Sequence, residues 1–249
     1  MASLSNSTPT PPNQSASFEA QREQMHRQML SSVSHDLKTP LASVIGSLEI
    51  YLRMQQQLPP EKLQTLLHTA LQEAYRLDHF VTNILDMGKL ENGMVKTRAE
   101  MANVLLLLQD CAERMKPVMG SATLTVENVA SPIMLQTDTT LLIRAISLLI
   151  DNGLKHGGEP ASIHLYARST QEHTAEIRIW DEGPGIPSEM ADAIFNKYTR
   201  MARQDHQKAG TGLGLAICRG IIELLNGTIT VRNRPQGGAE FTIKLRDLA

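Results

Sequence analysis

The chain has 249 residues, with 24 basic and 26 acidic side chains and a formal net charge of −2 at pH 7. This length predicts about two domains, and the balanced charge gives no basic bias toward nucleic acid. Neither a signal peptide nor an apolar run long enough to span a bilayer is evident, so we expect a soluble, cytoplasmic protein without a membrane span. Cys111 and Cys218 lack metal-ligand spacing, which favours reduced, buried thiols.

Residues 1–20 are mostly small and polar, a composition typical of a flexible arm. After them, apolar side chains recur at steps of three and four, which predicts an amphipathic helix. These are Met29, Val33, Leu37, Leu41, Val44, Leu48 and Leu52.

His35 lies off this apolar stripe and is followed directly by Asp36. Small residues follow on its own helical face, leaving room for another molecule to approach the imidazole. Pro40 predicts a local kink, because it removes a helical hydrogen bond and clashes with the preceding turn. This layout suits a nucleophilic histidine, although an isolated His-Asp pair is more often a solvated surface histidine beside an ordinary helix carboxylate.

A second apolar stripe, between Leu63 and Leu85, follows the turn at Pro59 and Pro60. Two helices alone cannot bury both stripes, whereas two hairpins paired as a four-helix bundle can, so we expect a homodimer. The second helix is expected to end near Gly93.

The second half of the chain contains four segments typical of an ATP site. In the first, Asn152 and Lys155 share the polar face of a helix whose other face is apolar. An amide oxygen can bind Mg²⁺ and an ammonium can meet phosphate. In the second, Asp181 ends an alternating strand and is followed by Gly183 and Gly185. This carboxylate can accept a hydrogen bond from the amine of adenine, and the glycines let the backbone approach the base.

The third segment, Ile194–Arg200, precedes a polar stretch at 202–209 that we interpret as a mobile lid. The fourth is the glycine-rich run Gly210–Leu215, which opens an apolar helix and presents free N–H groups to phosphates. It is neither a Walker A loop nor a Rossmann fingerprint. Each segment alone is more often structural, so the prediction depends on their order.

In that order, the chain resembles the transmitter region of two-component sensor histidine kinases, from about residue 23 to residue 245. His35–Pro40 is similar to the H box, Asn152–Lys155 to the N box, Asp181–Gly185 to the G1 box, Phe195–Arg200 to the F box, and Gly210–Gly214 to the G2 box. The resemblance implies an all-α dimerising hairpin that carries the phosphoacceptor (21–93), followed by an α+β two-layer sandwich of the GHKL (Bergerat) ATPase type (98–249).

ATP, Mg²⁺ and a response regulator receiver domain are the implied cofactors and partner. Asp36 would hold the tautomer in which Nε2 of His35 attacks the γ-phosphorus of ATP. Thr39 would orient a water for phosphatase activity toward the regulator, or it merely precedes a proline. Asn152 would hold Mg²⁺, and Asp181 would select adenine. The other expected nucleotide contacts are Lys155, Gly183, Gly185, Arg200, Thr211, Gly212, Leu213 and Gly214.

One position departs from the family pattern. The N box usually has an asparagine four residues before Asn152, and Leu148 stands there. Leucine can neither bind a metal nor relay a proton, so autokinase activity depends on whether this change is tolerated. Two other classes stay open: a histidine phosphotransfer protein with a weak ATP site, and a non-histidine GHKL ATPase or serine kinase. We expect either that an upstream sensor partner meets the arm and residues 21–29, or that this sequence is part of a longer receptor.

Overall fold

The computed structural model describes residues 14–127, 132–171, 174–199 and 212–247, and within these ranges the side chains of 14–32, 35 and 171 are not described. The chain divides into two compact units, residues 1–80 and 81–249. We call them the hairpin unit and the sheet unit.

Two long helices form the helical hairpin. Helix α1 is Gln14–Met54 and helix α2 is Pro60–Glu91, so the last turns of α2 belong to the sheet unit. Pro60 is the first residue of α2, where its missing N–H breaks no helical hydrogen bond. Helix α1 continues through Pro40. It also begins inside the predicted arm of residues 1–20, so residues 14–20 are helical, and residues 1–13 lie outside the described residues.

Each helix of the hairpin has two neighbouring apolar faces. One face is buried, and it includes Pro40 and Ala70 together with the small polar side chain of Ser47. The other is 40–67% exposed and consists of Leu41, Ile45, Leu48, Leu52, Leu67, Leu71 and Tyr75. Much of the apolar stripe predicted from the sequence therefore faces outward within one chain.

Helix α2 ends as the sequence predicts. Gly93 has a φ of +60°, and its N–H donates to the Leu90 carbonyl at 3.1 Å. The Met94 N–H donates to the Lys89 carbonyl at 2.9 Å. This pair of bonds is a Schellman motif, which satisfies the last helical carbonyls and needs a residue that tolerates the left-handed conformation.

The sheet unit contains seven strands and three further helices among its described residues. The strands are β1 Glu100–Asn103, β2 Thr123–Val126, β3 Met134–Thr137, β4 Ser162–Gln171, β5 Thr174–Asp181, β6 Thr228–Asn233 and β7 Ala239–Arg246. The helices are α3 Val104–Met115, α4 Thr139–His156 and α5 Gly214–Leu224, with 3-10 turns at Lys116–Val118, Ser188–Met190 and Ala193–Phe195.

The main sheet has the order β2-β4-β5-β7-β6, and only the β2-β4 pair is parallel. Along β5, Ile177 and Ile179 are buried, whereas Arg178 and Trp180 alternate with them on the opposite face. The buried face packs with apolar residues of α3, α4 and α5 in one core. The result is two layers, helices on one side of a mixed sheet.

The predicted order, a helical hairpin followed by an α+β sheet domain, is confirmed. The predicted strand near 124–129 is shorter, ending at Val126, and residues 128–131 lie outside the described residues. Strand β1 was not predicted; it pairs antiparallel with β3 in a separate two-stranded sheet. Among the described residues, no helix combines the length and apolar character that crossing a bilayer requires.

Candidate functional site

Helix α4 positions the first pair of predicted site residues. Asp138 caps its N-terminus by accepting a hydrogen bond from the Leu141 N–H at 3.0 Å. Near the other end, Asn152 is half-buried and Lys155 is exposed. The Lys155 ammonium forms an ion pair with Asp151, one helical turn earlier. The helix therefore presents an amide and a cation at its C-terminal end.

The loop after β5 lies directly against that end of α4. A Cβ on Gly183 would lie 2.7 Å from both the Cα of Gly157 and the carbonyl oxygen of His156. A Cβ on Gly157 would lie 2.9 Å from the Cβ of Asp181. Both distances are too short for a side chain, so glycine permits this main-chain contact. Close packing of glycines thus brings the first two predicted segments together.

Asp181 is the last residue of β5 and is only 5% exposed. Its Oδ1 accepts a hydrogen bond from the Gly183 N–H at 2.9 Å and a longer one from the Ala239 N–H at 3.3 Å. Both bonds use the same oxygen, so they fix the orientation of the carboxylate while Oδ2 keeps its capacity to accept. Asp181 is built as a fixed hydrogen-bond acceptor.

Sequence reasoning missed the residues that support the Asp181 loop. The carboxamide of Asn233, at the end of β6, makes two hydrogen bonds to the main chain of Ile186. Gly238 follows in the turn before β7, where a Cβ would lie 1.9 Å from the Asp181 carbonyl oxygen. In this region the sequence predicts only a turn, from the adjacent Gly237 and Gly238, and no local pattern indicates a role for Asn233.

A buried leucine directly before α5 anchors the start of this helix. Leu213 is fully buried, and Gly214 is the first helical residue, without a side-chain cap. The Tyr198 N–H donates to the Gly212 carbonyl at 2.9 Å, which joins the chain before and after residues 199–211. Burial and the Glu91 carboxylate both raise the pKa of Tyr198. The first N–H groups of α5 are thereby held in place at one end of the sheet unit.

Leu148 is part of the contact between α4 and α5. It is 6% exposed, and its Cδ2 lies 3.7 Å from where a Cβ on Gly214 would be. The departure from the N-box pattern thus places a buried methyl group beside the start of α5. Here it contributes apolar packing in place of a polar group.

The segment before Tyr198 is held mainly by buried aromatic packing. Phe195 is 4% exposed and meets Phe241 edge to face, with ring centroids 6.2 Å apart. The Arg219 guanidinium lies 4.3 Å from the centroid of the Phe195 ring. Lys197 forms an ion pair with Glu91, and both side chains are partly exposed. This segment therefore has a fixed position next to Gly212.

The hairpin residues lie on one continuous helix. His35, Asp36 and Thr39 are all in α1, with Asp36 partly buried and Thr39 exposed. The His35 side chain is outside the described part of the structure. Arg200, Thr211, Gly210 and the predicted lid at 202–209 also lie outside the described residues.

Two family models match the chain, one after the other. Residues 25–93 match the His Kinase A (phospho-acceptor) domain. Residues 137–249 match the histidine kinase-, DNA gyrase B- and HSP90-like ATPase. The first range contains His35, and the second contains Asn152, Asp181 and Gly212.

Curated relatives are similar over nearly the whole chain. The sensor protein KdpD of Escherichia coli (strain K12) is 31% identical over 242 residues, which are 96% of this chain and 26% of KdpD. The alginate biosynthesis sensor protein KinB of Pseudomonas aeruginosa is 31% identical over 90% of this chain and 37% of KinB. The chain spans about a quarter to two fifths of the length of these relatives.

Solved structures share the fold. The Acinetobacter baumannii histidine kinase AdeS has a TM-score of 0.65 at 23% identity, covering 86% of this chain and 98% of that one. The histidine kinase ThkA, in a complex with the response regulator protein TrrA, has a TM-score of 0.67 at 22% identity, covering 95% of this chain and 67% of that one.

Proposed function

The chain belongs to the two-component sensor histidine kinases and comprises their transmitter region; from this premise we propose that it phosphorylates itself on His35 with ATP and passes the phosphoryl group to an aspartate of a response regulator. The observation that carries the proposal is a phospho-acceptor domain followed by a histidine-kinase-type ATPase domain in one chain. We assign the phosphoacceptor hairpin to residues 21–93 and the catalytic domain to residues 98–249.

Adenine recognition falls to Asp181. Its Oδ1 is occupied by main-chain N–H groups, which leaves Oδ2 to accept a hydrogen bond from the exocyclic amine of the base. Burial excludes water from this bond, and a buried acceptor discriminates strongly against a base that lacks the donor. Gly183 and Gly185 would meet the base through their main chain, while the space that a side chain would fill at each is taken by Gly157 and by Asn233.

The phosphates belong at the start of α5 and the end of α4. The N–H groups from Gly212 to Gly214 lie at the positive end of the α5 dipole, where an anion is stabilised. Lys155 would exchange its partner Asp151 for a phosphate oxygen. Arg200 and Thr211, from the segment between Tyr198 and Gly212, remain further proposed contacts.

Mg²⁺ fits the donors present. Asn152 offers a hard amide oxygen on the half-buried side of α4, and Mg²⁺ usually takes one or two protein ligands together with substrate phosphates. Among the described residues, no group of three or more His, Cys, Asp or Glu could form an all-protein cage. When bound with ATP, the ion would offset charge on the phosphates.

Transfer to the histidine is a displacement at phosphorus. Asp36 accepts a hydrogen bond from the Nδ1–H of His35, which keeps the proton on Nδ1 and the lone pair on Nε2. That lone pair forms the N–P bond while the bond from the γ-phosphorus to the bridging oxygen breaks, and ADP leaves with the electron pair. The regulator's aspartate then takes the phosphoryl group from Nε2. Thr39, one turn later, would orient a water for removing it from the regulator.

A homodimer of hairpins is the assembly we propose. The exposed apolar face of α1 and α2 continues along both helices and includes Leu41, Ile45, Leu67 and Leu71. Pairing two such faces would complete a four-helix bundle and remove this surface from water.

The other partners that we propose are a response regulator receiver domain and an upstream sensor partner. ATP as donor and two reduced, buried cysteines favour a cytoplasmic location.

The test is incubation of the purified chain with Mg²⁺ and γ-labelled ATP, followed by acid and alkali treatment. Label that resists alkali, is lost in acid and disappears in His35→Ala establishes the histidine autokinase. His79→Ala, which removes an exposed histidine of the same hairpin, is the matched control and should label normally. Such a result also shows that Leu148 is tolerated.

Four results would reject the proposal, and the first three of them favour another class. ATP binding without label would indicate a phosphotransfer or regulatory relative. Label that survives acid and does not need His35 would indicate a serine kinase, and ADP release without any protein label a GHKL ATPase. Equal labelling of His35→Ala and His79→Ala would likewise exclude His35 as the acceptor.

A further inference from the structure

The loop from Asp181 to Ile186 is held at both ends by the connection between β6 and β7. At the Asp181 end, Gly238 packs against the Asp181 carbonyl and the Ala239 N–H donates to Asp181 Oδ1. At the other end, Asn233 holds Ile186. A single hairpin turn therefore fixes both ends of the loop that we assign to the base.

The Asn233 contact has the geometry of a short strand pairing. Its Oδ1 accepts from the Ile186 N–H at 2.8 Å, and its Nδ2 donates to the Ile186 carbonyl at 2.6 Å. Both polar groups of one residue's main chain are thus bound by one carboxamide. No other side chain of similar size offers a donor and an acceptor side by side in this way except glutamine, which is one methylene longer.

Gly185 makes room for this clamp. Its φ is +78°, and a Cβ there would lie 2.7 Å from Asn233 Oδ1. The turn that carries Asn233 is closed by the Arg234 N–H donating to the Gly238 carbonyl at 3.0 Å. The clamp, the turn and the loop are therefore one connected unit, although Asn233 itself is exposed at the surface.

We propose that Asn233 is a positioning residue for base recognition: by clamping Ile186 it keeps the Asp181–Ile186 loop in the shape that selects adenine over guanine. This inference rests on the proposed function. Asn233 acts through the loop, since it holds the segment beyond Gly185 while Asp181 supplies the acceptor. Without the clamp, the loop must be ordered by the nucleotide itself, at the expense of affinity and of discrimination between bases.

The test compares Asn233→Ala, Asn233→Asp and the unmodified chain by direct binding of ATP and GTP. Asn233→Ala should weaken ATP binding about tenfold and lower the ATP-to-GTP affinity ratio, because two main-chain hydrogen bonds are lost. Asn233→Asp keeps the acceptor for the Ile186 N–H but loses the donor, so it should resemble Asn233→Ala in the ratio and retain part of the affinity. Amide exchange at Ile186 should be faster in Asn233→Ala without any nucleotide.

Asn103→Ala is the matched control. Asn103 also bonds the main chain through its side chain, accepting from the Leu105 N–H at 3.0 Å, but it caps α3 away from this loop. Asn103→Ala should lower the midpoint temperature of thermal unfolding and leave the ATP-to-GTP affinity ratio unchanged. A ratio in Asn233→Ala equal to that in Asn103→Ala, or unchanged exchange at Ile186, would overturn the inference while leaving ATP binding intact. If the unmodified chain binds no ATP, the proposed function itself fails and the assignment to the base fails with it.

Discussion

The hairpin and the sheet unit differ most in how completely they bury their apolar side chains. In the sheet unit, residues such as Leu142, Ile146 and Phe241 are at most 2% exposed and belong to one continuous core. In the hairpin unit, Leu41 and Leu71 are about half exposed, at 46% and 52%. The difference supports the proposed assembly, in which the sheet unit is complete within one chain and the hairpin unit pairs with a second copy.

The two units also hold their functional residues in different ways. His35, Asp36 and Thr39 follow one another on a single helix, so local helix geometry alone sets their spacing. The Asp181 loop depends instead on contacts with α4 and with the β6–β7 turn, which are far away in the sequence. The hairpin site should therefore tolerate local substitutions that leave the helix intact, while the nucleotide site should respond to changes at a distance.

The largest effect on assembly is expected from a charge on the exposed hairpin face. Leu71 is 52% exposed in one chain, and Leu71→Glu would place a carboxylate in the proposed dimer interface of both protomers, where it would be desolvated without a partner. We expect the dimer dissociation constant to rise by at least about 100-fold, which corresponds to about 2.7 kcal/mol. Sedimentation over a range of protein concentrations measures it directly.

Gln72→Glu controls for the added charge. Gln72 is the next residue on α2 and is exposed, but it is about 100° round the helix from Leu71. It should leave the dimer unchanged. If Leu71→Glu remained a dimer with the affinity of Gln72→Glu, the exposed apolar face would not be the interface.

A cavity in the sheet unit should have the next largest effect, and one of a different kind. Leu142→Ala removes a fully buried side chain from α4 and should cost about 2–5 kcal/mol of folding free energy. Because this core lies within one chain, the loss should not depend on protein concentration. Urea unfolding monitored at Trp180, the only tryptophan, reports on this unit.

Leu106→Ala makes the same chemical change at a leucine of α3 that is 61% exposed. It should alter stability by no more than about 0.5 kcal/mol. A concentration-dependent loss in Leu142→Ala would contradict the view that the sheet unit is self-sufficient.

A smaller effect is expected from the charged face of the sheet, opposite the helices. Burial alone would raise the pKa of Glu176, but hydrogen bonds and charge from Arg178 and Arg168 outweigh it, so its pKa is lowered. Because its pKa is lowered in the folded state, ionised Glu176 stabilises the fold at pH values above its unfolded-state pKa. This stabilisation is lost as the pH falls through the folded-state pKa. Glu176→Gln should cost about 1–3 kcal/mol near neutral pH.

The pH dependence separates Glu176 from the other carboxylates. As the pH falls below the folded-state pKa of Glu176, the stabilities of the unmodified chain and of Glu176→Gln should converge. Urea unfolding midpoints measured at a series of pH values from 7 downward test this. Glu113→Gln, at an exposed ion pair with Lys116, should show little difference at any pH. A constant gap between the two chains across the whole range would rule out the lowered pKa as its cause.

The sequence predicted those parts of the molecule that local patterns determine. Steps of three and four in apolar residues predicted the two hairpin helices, and alternation predicted β5, in which Ile177 and Ile179 are buried. The loops that we propose for the nucleotide were identified from their glycines and their order along the chain, and their contacts with a nucleotide stay predictions. Their structure adds the reason for Gly183, which is contact with Gly157 rather than turn geometry.

What could not be predicted depends on pairs of residues far apart in the sequence. Asn233 and Ile186 are separated by 47 residues, and neither stands in a pattern that marks the other. Strand β1 has only four residues and exists because it pairs with β3, more than thirty positions later. Apart from Phe18 and two alanines, the first turns of α1 are polar, so no sustained apolar periodicity predicted a helix there.

The smallest effect is expected at the Lys197–Glu91 ion pair, although it joins α2 to the segment before Tyr198. The two side chains are 43% and 45% exposed, so solvent and salt screen their attraction. A double-mutant cycle of Lys197→Ala and Glu91→Ala should give a coupling energy below about 1 kcal/mol, and less in high salt. Phe195, which is buried between Phe241 and Arg219, should carry the position of this segment instead, so Phe195→Ala should cost about 3–5 kcal/mol in the same unfolding assay. A coupling energy that exceeded the cost of Phe195→Ala would mean that charge, and not burial, holds this part of the sheet unit.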